Sequence, residues 1–212
     1  MKAEVDEALK TGDSVGGVFE VVAHGVPPGL GTYANWDERL DGLLAAAVMS
    51  LQAVKAVEIG CGIGAAASPG SSVHDAIGYD RHPTSPTPGE AGTPGRAQGD
   101  GRAGYTGFTR KSNHAGGIEG GISNGEDIFV RGYLKPISTL RRPLESVDFK
   151  TREPVKAAYE RSDVCVVPAA GVGGEAMVAL TLARCALEKF GGDSMGEVLR
   201  NFGGYKKQLK DF

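Results

Sequence analysis

Residues 126–139 read EDIFVRGYLKPIST. The first nine, EDIFVRGYL, are dense in β-branched and aromatic side chains and read as a strand. Pro136 has no amide hydrogen to give a ladder, so the strand should stop just before it. Two further stretches read the same way. Residues 16–24 (GGVFEVVAH) alternate and are β-branched, and residues 53–59 (AVKAVEI) form a short apolar run. Between these two, VPPGLG at 26–31 is a turn. Asn35, with Glu38 three residues on, is expected to cap a helix running to about Leu51. Leu40, Leu43, Leu44, Ala47 and Leu51 should share its buried face.

Helices are expected on both sides of this strand group. Residues 2–10 are polar with a sparse apolar period and read as a helix end. Residues 151–163 are a helix candidate with Pro154 in the first turn, and 164–167 a short buried strand. Residues 174–190 are nearly all apolar and predict a helix buried on most sides, ended by Gly191 and Gly192. Residues 195–209 predict a final amphipathic helix. Strands alternating with helices give an α/β or α+β class, with helices layered on antiparallel sheet. The 212 residues are read as one unit, 1–212. Residues 80–104 interrupt it: they are rich in proline and glycine, poor in apolar side chains, and expected to be a mobile surface loop.

Bulk properties exclude several classes. The net charge of −3 offers nothing to nucleic acid or to an anionic membrane surface. No apolar run reaches the roughly 20 residues of a membrane span. The charged first residues lack a signal core, which predicts a cytoplasmic protein. Cys61, Cys165 and Cys185 stand too far apart for a zinc or dithiol motif and read as small apolar filler. There are 33 glycines where average usage of about 7% predicts roughly 15, so many positions need positive φ or close approach.

Four stretches carry possible chemistry. VEIGCGIG at 57–64 has the strand, acid and glycine turn of S-adenosylmethionine-dependent methyltransferases. The helix expected after such a turn is cut short by Pro69, and no ribose-binding acid follows. A plain glycine turn is favoured. KSNHAGGIEGGISNG at 111–125 is too glycine-rich for a core element and reads as a ligand loop whose paired glycines could aim N–H groups at an oxyanion; His114 within it suits acid–base work. At the strand exit Lys135 could hold a phosphate or a flavin carbonyl, and Ser138 and Thr139 offer hydroxyl and backbone donors. Arg141, Arg142 and Arg161 are cationic forks, and Arg161-Ser162-Asp163 should sit between a helix and a strand. His74-Asp75 and Arg110-Lys111 read as mostly solvated.

Several motifs in order resemble the chorismate synthase family. They are GDSVGG at 12–17, MSLQAVKAVEIG at 49–60, GSSVHD at 70–75, RKSNHAGGIEGGISNGE at 110–126, LKPISTL at 134–140, ERSD at 160–163, VPAAGVGGEAM at 167–177 and EKFGGDS at 188–194. The resemblance implies the C-terminal portion of a lyase that uses reduced FMN. Its implied reaction is the anti-1,4-elimination of phosphate from 5-enolpyruvylshikimate 3-phosphate, giving chorismate, in the shikimate pathway of aromatic amino acid biosynthesis. It also implies a homotetramer and an association with NADP. Carried over by position, Gln52 and Ala53 are expected at the flavin, with Gly120 lining it. Lys135, Pro136, Ile137, Ser138 and Thr139 are expected to grip it, with Arg161 nearby. Asp163 matches an aspartate proposed to assist proton transfer near flavin N5. The family's Gly-Glu-Ser-His-Gly motif, its substrate-binding arginines and its two acid–base histidines do not occur among these residues. His24, His74, His82 and His114 stand in other contexts. A non-catalytic flavin- or anion-binding remnant is the alternative.

Overall fold

Three strands organise the chain: β1 (Gly17–Ala23), β2 (Val54–Ile59) and β7 (Ile128–Leu134). They form one antiparallel sheet in the order β1-β7-β2; after the short helix α4 (Gly70–Val73), β3 (Ile77–Tyr79) pairs with β4 (Phe108–Arg110) in a separate ladder. β7 is therefore central, as its near-continuous burial requires, and Lys135 begins where the ladder ends. The computed structural model describes residues 1–79 and 106–211. The expected loop at 80–104 and His82 lie outside the described residues.

Side-chain alternation gives the sheet two unlike faces. Phe19, Val21, Ile128, Val130 and Leu134 turn to the core, where α2 (Leu40–Met49) and α5 (Val167–Phe190) pack. Phe19 explains two glycines. A Cβ on Gly132 would lie 2.4 Å from its ring, and one on Gly174 of α5 2.3 Å from it. Both glycines make room for one aromatic between strand and helix. The other face carries a charged row across the ladder: Glu20 pairs with Arg131, and Arg131 with Glu58.

The helices confirm much and correct some. α1 (Lys2–Thr11) ends on Gly12 in the left-handed conformation. α6 (Met195–Lys210) starts at Ser194, whose hydroxyl accepts the Glu197 N–H. Asn35 does not cap α2. Its side-chain amide binds the Glu38 carboxylate at 2.8 Å, Trp36–Glu38 is a single 3-10 turn, and α2 starts at Leu40. Residues 151–163 are not a helix. Asp148 accepts the N–H groups of Lys150 and Thr151, closing a turn between β8 (Glu145–Val147) and β9 (Pro154–Lys156). That local side-chain bond outcompetes the helix, and Pro154 opens a strand instead. Residues 164–167 are not a strand, because Pro168 in the first turn starts α5 seven residues earlier than expected. Nor is α5 buried on most sides: Val172, Leu180 and Leu187 are 70%, 68% and 53% exposed. By length and composition alone α5 could cross a membrane. One face of it packs on β1 and α2 through Val167, Gly174, Val178 and Cys185. The three cysteines are free, and Cys185 is buried.

Candidate functional site

GDSVGG at 12–17 gathers the expected residues. Ser14, 7% exposed, donates its hydroxyl to the Ile137 carbonyl at 2.6 Å. Val15 donates its N–H to the Val164 carbonyl at 2.9 Å, next to Asp163. Gly16 lies so close to the strand exit that a Cβ there would meet the Leu134 carbonyl oxygen at 2.3 Å and the Pro136 nitrogen at 3.0 Å. Gly12 accepts the Arg142 N–H at 3.1 Å. One six-residue turn thus ties residues 135–142 to residues 161–164.

Gln52 and Ala53 join the same end of the sheet. Lys135 donates its N–H to the Ala53 carbonyl at 2.9 Å, and Ala53 has a left-handed φ of 67°. A register irregularity between Val54 and Ala56 follows, so the corner enters β2 with a bulge. On the other side the Thr139 hydroxyl meets the Ser162 hydroxyl at 2.5 Å, placing Arg161 and Asp163 beside the strand exit. Gln52, Lys135, Pro136, Ser138, Arg141, Arg142, Arg161 and Asp163 are exposed, while Ala53, Ile137 and Thr139 are half-buried. Four cations, two hydroxyls, an amide and one carboxylate therefore share a surface. That donor set suits a polyanionic or carbonyl-rich ligand.

Gly120 is not in this group. It turns the hairpin between β5 (Ile118–Glu119) and β6 (Ile122–Ser123). Gly121, beside it, accepts the Leu40 N–H, and Ser123 holds the 27–30 turn through Pro27 and Leu30. This hairpin adjoins the Ile128 end of β7, about 20 Å of strand from Lys135. A Cβ on Gly120 would meet nothing within 4 Å, so its surface is open.

In the glycine-rich loop the N–H groups from His114 to Gly117 are already used within the protein. His114 N–H and Ala115 N–H bind the Asp75 carboxylate, each at 2.9 Å, and Ser112 donates to it at 2.6 Å. Gly116 N–H goes to the Asn113 carbonyl and Gly117 N–H to the Asn113 side chain. Asp75, expected to be solvated, is only 2% exposed. Burial pushes its carboxyl upward, but the Ser112, Ala115 and His114 hydrogen bonds with the adjoining imidazole outweigh that and leave it below the usual range. Arg110 is also enclosed, 15% exposed and paired with Glu119 at 2.6 Å. No periodicity marked these two; only the loop's need for partners could have.

VEIGCGIG is the other wall of that loop. Gly60 abuts Gly116, and a Cβ on Gly60 would lie 2.2 Å from the His114 carbonyl oxygen. Cys61 donates its N–H to that same oxygen at 2.8 Å. The following helix, α3 (Gly62–Ala66), is a short turn held by Glu58, which accepts the Ile63 N–H at 3.1 Å. Gly60 serves loop-to-loop contact, and Gly62 packs closely on Glu58. The Tyr133 hydroxyl donates to Glu58 and, with the Ile63 N–H and Arg131, holds its carboxyl below the usual range against burial. Arg131 also binds Glu20 at 2.6 Å.

Comparison with known proteins agrees with the motif order. A family model described as chorismate synthase matches residues 1–187. The chorismate synthase of Koribacter versatilis (strain Ellin345) is 68% identical over 212 residues, covering 100% of this chain and 49% of that protein. That of Solibacter usitatus (strain Ellin6076) is 60% identical, with 100% and 49% covered. A crystal structure of chorismate synthase superposes with a TM-score of 0.75 at 42% identity, again over 100% of this chain and 49% of that one. The chain spans about half the length of the curated relatives it matches.

Proposed function

The chain belongs to the chorismate synthase family, and on that premise we propose that it acts as the C-terminal part of a chorismate synthase domain, supplying one wall of a reduced-FMN site. The reaction served is the elimination of phosphate from 5-enolpyruvylshikimate 3-phosphate to give chorismate, a carbon–oxygen lyase step. The observation carrying this reading is the convergence of Gln52, Ala53, residues 135–139, Arg161 and Asp163 at one end of the sheet, locked by Ser14 and Val15. The exposed cations and hydroxyls there fit a flavin phosphate and ring carbonyls. When bound, reduced FMN would lend electron density to the substrate as the phosphate leaves and take it back afterwards, with no net redox change.

This chain's own residues bind and orient. Lys135 and Arg161 offer positive charge to anions. Ser138 and Thr139 offer hydroxyl donors, and Asp163 is the carboxylate that would hold or pass a proton. Gly120, at the far end of β7, belongs to the flavin site if the ligand or a second chain reaches it; the family's homotetramer and cytoplasmic location are part of the same reading. The family's other substrate and acid–base motifs do not occur among these 212 residues. The chain alone should therefore bind reduced FMN weakly and turn over poorly. Phosphate release is assayed anaerobically with reduced FMN and substrate, with and without the complementary half of the Koribacter versatilis relative. Activity restored by the added half supports the reading. Full activity of the chain alone refutes the division of labour, and FMN binding that no complement converts to turnover identifies a non-catalytic flavin module.

A further inference from the structure

Helix α5 leaves one face uncovered. Val172, Ala176, Ala179, Leu180, Ala183 and Leu187 are all exposed, and at 3.6 residues per turn they fall on one side of the helix. That side lies opposite Val167, Gly174, Val178 and Cys185, which are buried. Between Val172 and Leu187 no charged residue interrupts the line. Glu175 and Arg184 stand at its two flanks, and Arg184 is already paired with Glu188 at 3.0 Å. An apolar stripe this long is costly in water and calls for a partner.

The order of the six residues says which partner fits. Their spacings are 4, 3, 1, 3 and 4, the same read from either end. Size follows the same symmetry: a branched residue at each end, an alanine one step in, and an Ala-Leu pair at the centre. A face that reads alike in both directions is matched by a second copy laid antiparallel across a twofold axis. In that register Val172 lies beside the partner's Leu187 and Ala176 beside the partner's Ala183, and the two Leu180 side chains meet at the axis. The alanines let the two helices approach closely. α2 packs beside α5 and exposes Gly42, Ala46 and Met49 on the side away from its buried Leu40, Leu44 and Val48. Two copies would therefore enclose four helices between two sheets.

We propose that the exposed face of α5 is a self-association surface, through which two copies of this chain pair antiparallel about the centre of the Ala179-Leu180 step. The pairing stands on this helix face alone, whether or not flavin binds.

Sedimentation velocity of the full chain over about 1–500 µM should show the 22.0 kDa monomer giving way to a species of twice that mass. Leu180→Asp puts two carboxylates at the axis and should weaken association about a hundredfold or more. Leu199→Asp, at an exposed position of α6 outside the stripe, should leave association unchanged. Both positions are exposed, so both variants should keep the circular dichroism of the parent chain. Leu180→Cys reads the register: mild oxidation should cross-link it as a dimer, and should not cross-link Leu199→Cys or the parent chain, whose Cys185 is buried and whose Cys61 and Cys165 are half-buried. A chain that stays monomeric at the highest concentration overturns the proposal, including one that instead binds phosphatidylcholine vesicles or the complementary half of the Koribacter versatilis relative. A dimer that survives Leu180→Asp, or in which Leu180→Cys does not cross-link, overturns it as well.

Discussion

Ser14→Ala removes one oxygen from the turn that ties the candidate site together. The hydroxyl is buried and donates to the Ile137 carbonyl at 2.6 Å, 123 residues away in sequence. Its loss leaves that carbonyl without this donor, at a cost of about 1–2 kcal/mol. Because Ile137 lies at the centre of the strand exit, the cost falls on the geometry of Lys135, Ser138 and Thr139. If the site must be held in that geometry to bind, affinity for reduced FMN should drop by roughly five- to thirtyfold. Asn201→Ala is the matched control. Its side-chain amide donates to the Phe190 carbonyl at 2.7 Å, between α5 and α6 and away from the strand exit. Both variants should lose similar stability in urea unfolding, and only Ser14→Ala should lose flavin affinity. Equal affinity in the two variants, with Ser14→Ala destabilised, would refute the claim that this turn shapes the site.

Other outcomes follow from the same geometry. Lys135→Ala and Arg161→Ala should each weaken reduced-FMN binding about 10- to 100-fold, the scale of a charge-assisted hydrogen bond, with a matching loss of salt dependence in flavin titrations. Gly60→Ala places a Cβ 2.2 Å from the His114 carbonyl oxygen at a φ of 59°, and should lower unfolding stability by about 2–4 kcal/mol in chemical denaturation. Glu58 should stabilise the fold in a pH-dependent way. Its folded carboxyl titrates below its ordinary value of 4.5, so its contribution is full above that pH and is lost as pH falls through the lower folded value. Glu58→Gln should flatten that acid limb in denaturation curves measured between neutral and acidic pH. Phe19→Ala should cost about 3–5 kcal/mol, because Gly132 and Gly174 leave nothing to fill the space of the ring.

The sheet was legible in the sequence because its three strands are each apolar and short, with turn residues between them. β7 fell within two residues of its expected start and ended where Pro136 required. The failures have local causes. The 151–163 segment carries helix-forming residues, but the Asp148 carboxylate organises the preceding backbone as a turn. The run at 164–167 looked like a strand because periodicity cannot tell a short apolar strand from the start of a buried helix. The strand-exit residues of the site were visible as chemistry beside Pro136, and the motif resemblance placed their partners. What sequence spacing could not show was contact across long separations. Ser14 with Ile137, and Asp75 with His114, are polar pairs whose roles appear only when the chain folds. Gly120 shows the converse: it shares a motif list with Lys135 and lies at the opposite end of the strand.

Amide chemical-shift mapping with reduced FMN under anaerobic conditions tests whether one end of the sheet forms the flavin wall. The largest saturable perturbations should fall at Gln52, Ala53, Lys135, Ile137, Ser138, Thr139, Arg161 and Asp163, weakened in Lys135→Ala. Saturable binding whose perturbations spare all of these residues would contradict it.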